Sequence, residues 1–110
     1  MKLWYSNSSP YARKARAVVQ YHQLQDHVEL LLTTSGLDKN SPHNLDNPLG
    51  RLPALQRENG EWLYNSSLIA EYLDNIGTQP SLYGNKETRW EILCLHYLAD
   101  GILENEISVA

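Results

Sequence analysis

Within the first 32 residues a short alternating segment, a Ser-Pro pair and a compact apolar run follow one another, an order that reads as strand, helix, strand. Two neighbouring strands joined by a helical crossover are expected to run parallel, because parallel pairing needs a long connection whereas antiparallel neighbours can be linked by a tight turn. KLWYS at 2–6 alternates Leu3 and Tyr5 with Trp4 and ends in the polar turn Ser6 to Ser9. Ser9 and Pro10 then form an N-cap and N1 pair: the hydroxyl accepts an orphan N–H, and proline has none to leave unsatisfied. Tyr11, Ala15, Val18 and His22 recur at helical spacing, which predicts a helix to about residue 23. His27 to Leu32, ending in VELLL, is expected to be a buried parallel strand.

The rest of the chain completes one domain and begins something else. Residues 33–50 are polar and broken by Gly36, Pro42, Pro48 and Gly50, so irregular chain with at most one short helix is expected. Leu52–Arg57 and Trp62–Tyr64 are strand-like and flank Asn59-Gly60, a strong hairpin signal whose two central residues tolerate positive φ. Ser66 opens a second helix with Leu68, Ile69, Tyr72, Leu73 and Ile76 on its apolar face, and Gly77 closes it. The predicted order over 1–78 is β-α-β-loop-β-β-α, an α/β domain. A linker, 79–85, leads to a helix over 86–108 carrying Trp90, Leu93, Tyr97, Leu98, Ile102 and Ile107 on one broad face. So wide an apolar stripe needs a partner, so residues 86–110 read as the first helix of an incomplete all-α domain.

Composition limits the function classes. An apolar share of 42% and a charged share of 20% suit a folded globular chain. Of the net charge of −4, residues 86–110 hold −3, leaving the first 85 residues nearly neutral. Arg13, Lys14 and Arg16 cluster beside the Ser-rich turn, a local field that suits a small anion and is too short for nucleic acid. No segment is long and apolar enough for a membrane span or signal peptide, so a cytoplasmic location is expected and two glycosylation patterns, at Asn7 and Asn65, are set aside. Cys94 is the single cysteine. There is then no internal disulfide, no C-x-x-C pair and no cysteine zinc site. His22, His27, His43 and His96 have no metal-ligand spacing and read as structural or exposed. Cys94 reads as a small core hydrophobe, and Trp4, Trp62 and Trp90 as core or interface residues.

Three features point to one ligand site: the Ser-Pro turn, the proline at 53 before a strand, and the serine at 66 opening a helix. Ligands of α/β sheets collect at the carboxyl ends of parallel strands and at helix N-termini, where unpaired N–H groups favour an anion. YSNSSPYARKAR, NPLGRLPAL and NSSLIAEYLD, in this order and spacing, resemble the amino-terminal, thioredoxin-like domain of soluble glutathione transferases, and LADGILEN resembles the start of the helical domain in bacterial members.

The resemblance implies glutathione as cosubstrate, no metal, and a cis bond before Pro53 that lets the Leu52 backbone meet the cysteinyl part of the ligand as an added strand would. It places Ser66 on the γ-glutamyl carboxylate and Arg51 on the glycyl carboxylate. Asn65 stands where the family often has an acid. An amide cannot pair with the ligand's ammonium as a carboxylate would, so weaker binding is expected. Enzymes that use cysteine in this turn place it at Ser9, whereas the insect and theta-like classes place a catalytic serine at Ser8. Ser9 is preferred as the hydroxyl that donates to the sulfur, with Ser8 the alternative. The implied function is detoxifying attack of the glutathione thiolate on a small electrophile, in a full-length homodimer. A non-catalytic interaction module resembling stringent starvation proteins is the alternative, and a thiol reductase is disfavoured by the missing cysteine at Ser9. Taken singly, Ser9 and Ser66 are plain helix caps and Pro53 a plain strand start.

Overall fold

The computed structural model describes residues 1–33 and 51–109; the expected irregular stretch between them falls outside the described residues. The elements are β1 (Lys2–Tyr5), α1 (Pro10–Tyr21), β2 (Glu29–Leu32), β3 (Ala54–Gln56), β4 (Trp62–Tyr64), α2 (Ser66–Ile76) and α3 (Arg89–Val109). The strands form one mixed sheet in the order β2-β1-β3-β4. β1 and β2 are parallel, with Leu3 beside Leu30. β3 runs antiparallel to β1 and β4 antiparallel to β3. This is the thioredoxin-like arrangement. The chain divides into two compact units, Met1–Gln79 and Pro80–Ala110.

In the first unit, Leu3 and Leu55 from the sheet meet Ala15, Val18 and Val19 of α1 and Ile69, Ala70 and Leu73 of α2 in one buried cluster. Both helices therefore cover the same face. Complete burial of a leucine contributes about 1.5–3 kcal/mol, so Leu3, Leu55 and Leu73 anchor the unit. The small residues Ala12 and Ala15 bring α1 close to its neighbours.

At the end of the sheet opposite the Ser-rich turn, α1 and α2 finish side by side around His22, which is fully buried. The Gln79 N–H donates to His22 Nδ1 at 3.1 Å. That leaves the ring proton on Nε2, which donates to Asp74 Oδ1 at 2.8 Å. Thr78 Oγ1 donates to the His22 carbonyl at 2.9 Å.

Two expectations are corrected and two are refined. The second strand is not buried: among the described residues β2 lies at the sheet edge and pairs only with β1, with Leu30 44% and Leu32 56% exposed. The cap of α2 is Asn65 rather than Ser66, because the Asn65 Oδ1 accepts the N–H groups of Ser67 at 2.8 Å and Leu68 at 3.4 Å. The β3–β4 connection is a three-residue loop. Arg57 donates to the Glu61 carbonyl, Gly60 to the Arg57 carbonyl, and only Gly60 takes positive φ. Gly77 closes α2 as its C-cap, but in an extended rather than a left-handed conformation, with φ −71°. It is glycine by contact, since a Cβ there would run into the His22 ring.

The second unit starts with a capping arrangement in which Asn85 Oδ1 accepts from Glu87 N and Thr88 N while Thr88 Oγ1 accepts from Asn85 N. Tyr83 Oη and His96 Nδ1 lie 3.1 Å apart. Trp90 is 74% exposed, and Leu95, Leu98 and Ile102 are exposed along α3. Cys94 is exposed too, so its reading as a core residue is corrected. It shares a helix with several large apolar residues that also face water.

Candidate functional site

Strand direction alone assembles the site. Trp4, near the end of β1, pairs with Ala54 at the start of β3, and Ala54 in turn pairs with Tyr64 at the end of β4. The turn after β1, the residues before β3 and the residues after β4 must share one end of the sheet. Ser6–Ser9, Leu52–Pro53 and Asn65–Ser66 are thereby brought together, with α1 and α2 both starting at that end. Trp4 and Ala54, 50 positions apart in sequence, become neighbours through antiparallel pairing.

The turn after β1 is held by its own serines. Ser6 is buried, and its Oγ accepts the Ser9 N–H at 3.2 Å. Ser6 Oγ and Ser8 Oγ are 3.5 Å apart. Ser9 caps α1: with φ −78° and ψ 117°, its Oγ accepts the Ala12 N–H at 3.1 Å. A hydroxyl that accepts a bond keeps its proton, so capping does not prevent Ser9 from donating to a ligand. Ser8 is exposed and Ser9 half-buried. Arg13 donates to the Asn7 carbonyl at 3.4 Å, which braces the turn, and the Arg16 guanidinium lies 4.4 Å from the centre of the Tyr5 ring.

Beside the turn lies the start of β3. The Leu52–Pro53 peptide bond is cis, Pro53 is buried, Leu52 half-buried and Arg51 exposed. At the third corner Asn65 takes φ 90°, an uncommon conformation in which asparagine is among the better-tolerated residues. Its side-chain oxygen is turned onto α2, and Ser66 and Ser67 are buried just behind it. The first turn of α2 holds no acidic residue. Lys14 Nζ donates to Ser67 Oγ at 3.4 Å, so an ammonium group from α1 adds to the positive end of α2.

Two of these participants were not singled out from sequence. Ser6 reads as one more turn serine until its burial is seen. Lys14 belongs to a recognised basic cluster, but only the side-by-side packing of α1 and α2 assigns it to the second helix. Among the described residues no group of three or more His, Cys, Asp or Glu side chains could hold a metal ion, and no helix is long and apolar enough to cross a membrane.

The family model described as "Glutathione S-transferase, N-terminal domain" matches residues 8–76. The uncharacterised GST-like protein YibF of Escherichia coli K12 is 30% identical over 94% of this chain and 50% of its own length. A glutathione transferase family member from Pseudomonas fluorescens Pf-5, solved with bound glutathione, superposes with a TM-score of 0.87 at 35% identity, covering 98% of this chain and 54% of that one. A glutathione S-transferase from Methylobacillus flagellatus KT, also with glutathione bound, gives a TM-score of 0.81 at 33% identity over 96% of this chain and 52% of that one. The chain thus spans about half the length of these relatives. A glutathione S-transferase amino-terminal domain with its serine turn, proline loop and helix start at one end of the sheet places this chain in the glutathione S-transferase family.

Proposed function

We propose that this chain binds glutathione across the end of the sheet and holds its thiol as a thiolate for attack on a small, largely apolar electrophile. The observation that carries the reading is the convergence of Ser6–Ser9, Leu52–Pro53 and Asn65–Ser66, in a fold whose relatives at 33–35% identity were solved with glutathione. In this reading the cysteinyl unit of the ligand meets the Leu52 backbone by strand-like hydrogen bonding. The γ-glutamyl carboxylate lies at the start of α2, where the Ser66 hydroxyl and backbone N–H receive it and Lys14 adds charge. Arg51 contributes to the glycyl carboxylate.

The Ser9 hydroxyl, with Ser8 the alternative, donates to the sulfur and favours thiolate over thiol, aided by the N-terminus of α1. The sulfur lone pair then forms a bond to the electrophilic carbon, and the displaced electron pair leaves with the leaving group or is protonated by solvent. The electrophile pocket, a homodimeric full-length protein and a cytoplasmic location belong to the same proposal.

Calorimetric titration of the chain with glutathione tests binding directly. A saturable heat that Ser66→Ala weakens about tenfold is expected. Ultraviolet titration of the bound ligand is expected to show thiolate as the majority form at neutral pH, against a few per cent for an ordinary thiol. Absence of any heat with the parent chain would sink the reading. It would favour the interaction-module alternative, which Asn65 supports by offering no charge to the ligand's ammonium.

A further inference from the structure

Ser6 is 4% exposed and lies immediately after β1, where the strand pairing has ended. A serine hydroxyl carries one proton and can accept twice. Ser6 Oγ accepts from the Ser9 N–H at 3.2 Å, a bond that uses a lone pair and leaves the proton to be placed. The other side-chain oxygen in reach is Ser8 Oγ, at 3.5 Å. Direction follows from burial. Ser8 faces solvent and can give its proton to water or a ligand, whereas a buried Ser6 proton without an acceptor would be left unsatisfied. The favoured arrangement has Ser6 donating to Ser8.

We infer that Ser6 is a positioning residue for the thiol site. Its oxygen fixes the Ser9 backbone, and hence where the Ser9 hydroxyl sits as it caps α1. Its proton occupies a lone pair of Ser8 and turns the Ser8 proton outward. One buried hydroxyl therefore sets both hydroxyls that can meet the sulfur, and it does so without touching the ligand. The inference rests on the glutathione reading, and it concerns the sulfur end of the ligand only.

That restriction supplies the test. Glutathione and S-methylglutathione share every group except the ionisable thiol, so calorimetry with both separates thiolate stabilisation from general binding. For Ser6→Ala, affinity for glutathione at neutral pH is expected to fall about fivefold to tenfold, while affinity for S-methylglutathione changes less than twofold. The ultraviolet transition of the bound thiol is expected to move to higher pH. Ser6→Thr, which restores the hydroxyl, is expected to bring both measurements back towards the parent. If Ser6→Ala or Ser6→Thr fails to fold, Ser6→Cys takes its place: it keeps the shape with a poorer donor and acceptor, and its selective loss of glutathione affinity would support the role.

Equal weakening of both ligands, or of neither, in a parent chain that binds both would overturn the positioning role alone. A parent chain that binds neither ligand would overturn the glutathione reading and this inference together.

Discussion

Asn65 combines positive φ with a side-chain oxygen committed to two amides of α2, so its conformation and its capping are one feature. Asn65→Ala is expected to cost about 1–2 kcal/mol, from the lost cap and from an alanine forced into an unfavourable φ, measured as a fall in the chemical denaturation midpoint. Asn65→Asp keeps the cap and adds a negative charge at a helix N-terminus, worth about 0.3–1 kcal/mol in stability. In the proposed site it also supplies a partner for the ligand's ammonium, so calorimetry is expected to show tighter glutathione binding. Lys14→Met is expected to weaken glutathione binding about threefold and to make it less sensitive to salt, with little change in melting temperature. At this scale the sequence was partly readable. Ser9-Pro10 announces its cap unaided, whereas the choice of Asn65 over Ser66 depends on a backbone angle that no local pattern displays.

The helices and strands were legible wherever their pattern had local causes. The apolar period of α1 and α2 and the strand alternation of β1 survive in the structure because burial on one face enforces them. Two elements show where such reasoning stops. The apolar run of β2 has the composition of a buried strand, yet sheet order, a property of the whole unit, leaves it at an edge. Gly77 ends α2 as the sequence suggests, yet it must be glycine for another reason, clearance for a ring 55 positions earlier. Gly77→Ala is therefore expected to destabilise the unit by about 1–3 kcal/mol through overpacking against His22, although its φ suits alanine, as thermal unfolding would report. His22→Ala is expected to cost about 3 kcal/mol or more, because it opens a cavity and removes a hydrogen bond from the buried Asp74 carboxyl. His22→Phe would fill the space without replacing the hydrogen bond to Asp74, separating the two contributions.

On the scale of the molecule, the first unit holds its own core and all the candidate site residues. A chain ending at Gln79 is expected to fold and to bind glutathione within about threefold of the whole, measured by calorimetry and circular dichroism. Loss of folding in that fragment would show that the second unit is needed for the first. α3 exposes Trp90, Leu95, Leu98 and Ile102, and apolar exposure of this extent favours association. Leu95→Glu with Leu98→Lys is expected to reduce light scattering at high concentration and leave glutathione affinity unchanged. The unit is fastened unevenly. Its buried His22–Asp74 pair lies about 18 Å, the length of the 12-residue α1, from the serine turn. The amide protons of His22 and Asp74 should then exchange with deuterium more slowly than those of the turn. Robustness and recognition would thus be written at opposite poles of one helix, free to drift apart as the sequence changes.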